Sequence, residues 1–267
     1  MTNEVLLVLF LTFIIYVIGT LAYSVRVVGV KTGRIAVSFA VFNVFVLISR
    51  TANSIQAPFL SKTVELAIND GTSKELIYVF RWILFSVTLA SIVGALLMPT
   101  FIKLFSKAVE SFSVHRSIPR LLMHGFSKAG IKQFKSSVTK PNKENLSYLK
   151  NFKKLPKKIL LLNTVAFSIS TVGILSSIYA GCLMPELRST CNSLSSVING
   201  LATILMFVFI DPFISMLTDD VLNGECDIVY FNKCITFIVA SLILGSILAQ
   251  FILVPASNII AFIAQVI

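Results

Sequence analysis

Between residues 43 and 58 an apolar run takes on side chains suited to donor chemistry. The stretch reads Asn43-Val-Phe-Val-Leu-Ile-Ser-Arg50-Thr-Ala-Asn53-Ser-Ile-Gln56-Ala-Pro58. It places an arginine, further amides and a proline where a lipid-facing helix would carry leucines. On a helix Asn43, Arg50 and Asn53 are spaced by seven and three and share a face. A guanidinium is a planar donor fork that can clamp a phosphate. An arginine at membrane depth costs at least about 2.5–3.5 kcal/mol, so it is first read as part of a site. The plainer alternative is an arginine that snorkels to the headgroups or pairs with a neighbouring helix. The amides favour the first reading, because they extend the polar face inward.

A second polar stripe lies far along the chain. Asn192, Ser196, Asn199 and Thr203 recur at four, three and four, and the run ends in Asp211-Pro212. Asp211 is the only acid placed within an apolar span. It is either a coupling or gating carboxylate or a helix-end residue next to Pro212. Pro58 and Pro212 cannot continue a backbone ladder and mark ends, kinks or hinges.

The elements that must position these residues are membrane helices. The 267 residues are 56% hydrophobic and only 13% charged, with mean hydropathy +0.88, whereas soluble domains are about a quarter charged. The apolar residues fall into runs of about twenty, the length that crosses about 30 Å of hydrocarbon. The expected spans are about residues 4–23, 35–55, 77–101, 159–183, 189–216 and 235–254. Ser241, Gly245 and Ala249 form a small-residue packing ridge in the last. The apolar tail after Pro255 is expected to fold back into the bundle. The fold class is therefore all-α, a polytopic membrane protein of six transmembrane helices.

The formal charge of +11 is concentrated, not spread. Of 23 Lys and Arg, 14 lie between Lys103 and Lys158, against Glu110 and Glu144 alone. That is a cytoplasmic loop signature and needs no nucleic-acid partner. Arg26, Lys31 and Arg34 likewise place the link 23–34 inside, which puts the N-terminus outside. Past Pro99, Phe101, Leu104, Phe105, Val109 and Phe112 recur at three and four. They form an amphipathic helix that either lies on the inner surface or continues the span. The acidic link 217–232 also falls inside in this topology, although it carries Asp219, Asp220, Glu225 and Asp227 against Lys233.

The four cysteines, Cys182, Cys191, Cys226 and Cys234, have no paired spacing, and His115 and His124 are distant, so no metal site is expected. Cys182 and Cys191 flank a tight turn and could be bridged, but buried free thiols are the favoured state. No nucleotide-binding glycine–lysine string occurs, and no cofactor is implied.

The halves repeat weakly. Tyr23 aligns with Tyr179, Asn43 with Asn199, and Pro58-Phe59-Leu60-Ser61 with Pro212-Phe213-Ile214-Ser215. Units of three spans have odd parity, so the second must insert upside down, giving a 3+3 inverted repeat of the transporter kind. The expected division is a first repeat over 1–101, a basic amphipathic and cytoplasmic connector over 102–158, and a second repeat over 159–267.

With these residues in view, the chain resembles a known family. Arg26-Val-Val-Gly29-Val-Lys31-Thr32-Gly33-Arg34, then Phe42-Asn43, then Ser49-Arg50-Thr51-Ala52-Asn53-Ser54-Ile55-Gln56-Ala57-Pro58, is similar to the Amj family of lipid II flippases, the bacterial alternates to MurJ. The resemblance is strongest over residues 23–66 and continues through Gly94 to Pro99.

It implies a multi-pass protein of the bacterial cytoplasmic membrane that moves the undecaprenyl-pyrophosphate-linked disaccharide-pentapeptide from the inner to the outer leaflet for peptidoglycan synthesis. It is then a transporter and not an enzyme, with lipid II and membrane lipids as partners and a homodimer left open. The substrate-binding candidates are Arg50, as main anchor, with Asn43, Asn53, Gln56, Asn199, Arg26 and Arg34. The last two sit where the headgroup is first met inside. Two alternatives stay open: a transporter of another anionic lipid or solute, and a membrane-embedded polyprenyl-pyrophosphate phosphatase. The second would need a nucleophile or general base beside its arginines.

Overall fold

The computed structural model of the chain describes residues 3–115, 136–139 and 155–267. What the sequence leads one to expect of the remaining connector, 116–135 and 140–154, lies outside the described residues. The helices are α1 (Asn3–Thr32), α2 (Ile35–Asn69), α3 (Leu76–His115), α4 (Lys157–Leu183), α5 (Arg188–Leu205), α6 (Asp211–Leu222) and α7 (Ile228–Val266). A π-helical turn, Met206–Ile210, joins α5 to α6 as one span. Six spans are thus long and apolar enough to cross a membrane. Three links turn on a glycine in the left-handed region, Gly33 (φ 65°), Gly71 (φ 69°) and Gly224 (φ 78°), a conformation that costs glycine nothing.

The number and order of spans follow the hydropathy, but the helices are longer than the apolar runs. The spans measure 30, 35 and 40 residues in the first half and 27, 38 and 39 in the second. At 1.5 Å per residue the longer ones reach about 50–60 Å, well past about 30 Å of hydrocarbon.

Several expected boundaries are therefore corrected. Arg26 lies inside α1 and not in a link. The helix α2 runs unbroken through Pro58 to Asn69. The residues after Pro99 continue α3, so a division at residue 101 falls inside a helix. The tail after Pro255 does not fold back, because α7 continues to Val266. Prolines are tolerated inside such helices because the bundle can re-satisfy the freed carbonyl groups.

Each half is built the same way. Helix α1 packs on both α2 and α3, and α4 packs on both α5 and α7, while the second and third helices of a half scarcely touch. The halves meet mainly through α3 and α7. Close approach rests on glycine. A Cβ on Gly94 of α3 would lie 2.7 Å from the Thr20 Cβ of α1, and one on Gly245 of α7 would lie 2.7 Å from the Thr164 carbonyl oxygen of α4. In lipid, such packing and interhelical hydrogen bonds hold helices together, since lipid tails are as apolar as leucine. Ser241, Gly245 and Ala249 are all buried, as their spacing predicts.

Most buried hydroxyls bond back to their own helix, as Thr12 Oγ1 does to the Val8 carbonyl. Bonds between helices are fewer: Ser86 Oγ to the Leu9 carbonyl (2.9 Å), Gln56 Nε2 to Thr12 Oγ1 (2.8 Å) and Asn163 Nδ2 to Ser241 Oγ (2.7 Å). The four cysteines are free thiols, and all but Cys226 are buried.

Candidate functional site

The two ends of the bundle differ in how they are closed. At the end nearest the connector, the last turns of α1 meet the start of α6. Arg26 Nη1 donates to Ser215 Oγ at 2.8 Å, and Arg26 Nη2 faces Asp211 Oδ1 at 3.6 Å. The guanidinium also lies over the Phe39 ring of α2, 5.5 Å from its centroid, within cation–π range. Tyr23, one turn before Arg26, lies within electrostatic range of Arg26 and Asp211 and near the Asn163 amide of α4. Four helices thus contribute to one polar cluster.

Local sequence explains the placement. Tyr23 and Arg26 are three apart on α1, and Asp211 and Ser215 are four apart on α6, so each pair shares a face. Pro212 removes one backbone donor inside the continuous span, directly after Asp211, which closes the π turn. The π turn just before it changes the register of the span and so decides which α6 residues look at α1. Around the cluster Ile210, Ile214, Leu217 and Phe231 exclude solvent. The pair is nonetheless asymmetric: the Arg26 side chain is 16% exposed and that of Asp211 41%.

The other candidate residues are arranged differently. Arg50, Asn43 and Asn53 are exposed on α2, and Arg34 is exposed at its start. Asn53 lies seven residues before Leu60 and so shares its face. Leu60 belongs to an apolar cluster shared by both halves, while Asn53 itself is exposed. Gln56, half-buried, is held by Thr12. Asn199 is not on an open wall. It is half-buried against Gly173 of α4, and its Oδ1 has no hydrogen-bond partner. Pro58 and Pro212 are both exposed.

The structure therefore brings Arg26 and Asp211 together and leaves Arg50 and Arg34 apart from them. Ser215, Phe39, Tyr23 and Asn163 were not singled out as site residues. Ser215 closes the repeated Pro-Phe-x-Ser string, and Asn163 is the lone amide of its span; both were signals available in the sequence. Among the described residues no three His, Cys, Asp or Glu side chains cluster as metal ligands would.

Six membrane-length helices, with a partly buried arginine–aspartate cluster between two of them, define a multi-pass α-helical membrane protein. Residues 11–264 match the family model described as "Amj: Alternate to MurJ", and the chain belongs to the Amj family. The Lipid II flippase Amj of Bacillus subtilis (strain 168) is 35% identical over 270 residues, covering 99% of this chain and 98% of that protein. No solved structure matches the chain.

Proposed function

We propose that this protein is a lipid II flippase, which carries the undecaprenyl-diphosphate-linked peptidoglycan precursor from the inner to the outer leaflet of the cytoplasmic membrane without covalent chemistry. The near full-length match to a protein of that name carries the reading. The site chemistry agrees with it. A diphosphate needs fixed positive charge, and the sugars and peptide need amides and hydroxyls.

In this reading the connector end is cytoplasmic and the N-terminus is outside. Arg26 receives the diphosphate, in place of Arg50 as main anchor, because its guanidinium is already oriented by Ser215 and Phe39. Arg34 and Lys31 attract the headgroup, and Arg50, Asn43 and Asn53 serve it further along the open flank of α2. Asn199 supports the wall through α4.

The two halves are an inverted repeat, with an axis in the membrane plane, and Pro58 and Pro212 are equivalent bending points. Matched span lengths and the shared packing plan support this. The acidic 217–232 link fits a cytoplasmic position once its residues have local tasks. Asp227 Oδ1 caps α7 by accepting from the Val229 amide (3.0 Å), and Asp219 acts electrostatically on Arg26. The test is complementation. In a bacterium depleted of every other lipid II flippase, this chain should sustain wall synthesis, and lysis with the protein present in the membrane refutes the reading.

A further inference from the structure

We infer that Asp211 is a resident stand-in for phosphate at Arg26, displaced by the diphosphate of the arriving lipid, and that its displacement unfastens α6 from α1 at the connector end. The inference rests on the flippase reading and specifies how its substrate is selected.

The guanidinium does not depend on Asp211 for its position. One nitrogen donates to Ser215 at 2.8 Å, and one face rests on Phe39. With the carboxylate gone, the fork stays oriented for an anion that can accept two parallel hydrogen bonds. The carboxylate, by contrast, is held loosely. A single oxygen approaches at 3.6 Å, and the acid is the more exposed partner, 41% against 16%. An anion arriving from outside the bundle therefore meets the acid before the base. At the other end of the molecule Lys62 and Glu4 close to 2.6 Å and Arg188 and Glu65 to 3.4 Å, both shorter than the Arg26–Asp211 approach.

A resident competitor also sets a charge threshold. A bulk phospholipid offers a phosphodiester with one negative charge, which gains little by replacing a tethered carboxylate of equal charge. A diphosphate carries more charge on adjacent groups, and Coulomb attraction grows in proportion. Selectivity against the far more abundant lipids then comes from the competitor as much as from the contact.

The displaced acid lies where its span is easiest to bend. It directly follows the π turn Met206–Ile210 and precedes Pro212, and both features weaken the helical ladder. Asp219, which also acts on Arg26, travels on the same helix.

The experiment uses the purified full-length protein in detergent, with undecaprenyl diphosphate and phosphatidylglycerol as probes and thermal shift plus equilibrium binding as readouts. Asp211→Asn, with Asp211→Ser as a second neutral variant should the first not yield folded protein, is expected to bind the diphosphate about tenfold tighter, since a competing negative charge beside the guanidinium is gone. It should also take up phosphatidylglycerol that the wild type rejects. Arg26→Ala should bind neither. Equal or weaker diphosphate binding by the neutral variants, while wild-type protein sustains wall synthesis in the depleted strain, overturns the stand-in and leaves the flippase reading intact. Failure of the wild type in that strain, with no variant binding the diphosphate, overturns both.

Discussion

The two ends of the bundle are closed by opposite chemistry. Near the connector, α1 meets α6 through Arg26, Asp211 and Ser215. At the far end, Leu60 and Val64 of α2 join an apolar cluster built with α1, α3, α4 and α7, among them Val8, Phe80, Leu175 and Leu253. The Pro-Phe-x-Ser quartets, residues 58–61 and 212–215, sit one at each seam. In the first, Leu60 is the buried member. In the second, Ile214 is buried and Ser215 also turns to an arginine. Charged contacts at the far end are confined to the exterior, Glu4–Lys62 at 2.6 Å and Glu65–Arg188 at 3.4 Å. An anion can compete for an ionic seam, whereas an apolar seam offers it nothing. In the proposed reading, substrate charge therefore acts at the connector end.

The sharpest way to break the comparison is at Arg26. Arg26→Ala should abolish growth in the depleted strain at normal membrane abundance, and Arg26→Lys, which keeps charge but loses the fork, should retain part of it. Full activity of the alanine variant would make the ionic seam merely structural. Arg50→Ala should fall between wild type and Arg26→Ala.

Next in size is the apolar seam. Leu60→Ala should cost about 2–5 kcal/mol of stability, read as a lower melting temperature in detergent, with the preference for diphosphate over phosphatidylglycerol unchanged. A changed preference would mean that both seams read the substrate.

The glycine contacts test the matched halves beneath the seams. Gly245→Ala meets a backbone oxygen and Gly94→Ala a threonine side chain. The first should therefore be the more destabilising, within the range of about 1–3 kcal/mol seen for overpacking. The exterior pair comes last: Glu65→Gln should shift stability by less than about 1 kcal/mol, as exposed ion pairs do.

A native probe can fix which seam faces the cytoplasm. Cys226 is the one cysteine not buried. Burial, then the Asp220 and Asp227 carboxylates, raise its thiol pKa. The thiolate is the reactive form, so maleimide labelling should be slower than for a free cysteine near neutral pH and accelerate as pH rises through the alkaline range. An impermeant maleimide should leave Cys226 unlabelled in intact cells and label it after permeabilisation. Labelling of intact cells would reverse the orientation.

What could be read from the chain follows from which physics is local. Six spans in order and the buried ridge at Ser241, Gly245 and Ala249 are local patterns, and they stand, as does the family. Span ends were misjudged because hydropathy measures contact with hydrocarbon, while a helix continues wherever its backbone bonds do. Hence α2 reaches Asn69 and α7 reaches Val266. The Arg26 cluster was missed for a different reason. Its hydrogen bond spans 189 residues of sequence, and no periodicity reports such a pairing. Arg26 drew less notice because the link around it was read as loop.

The π turn at Met206–Ile210 lets the ionic seam absorb a one-residue change that a regular helix could not. A π turn holds one residue more than the α-helical turn it replaces. Deleting a single residue there would let the span relax into uninterrupted α-helix with the residues beyond it kept near their present bearing, so Asp211 and Ser215 would still face Arg26. The same deletion in the continuous α2 would swing every later residue by about 100° around the axis.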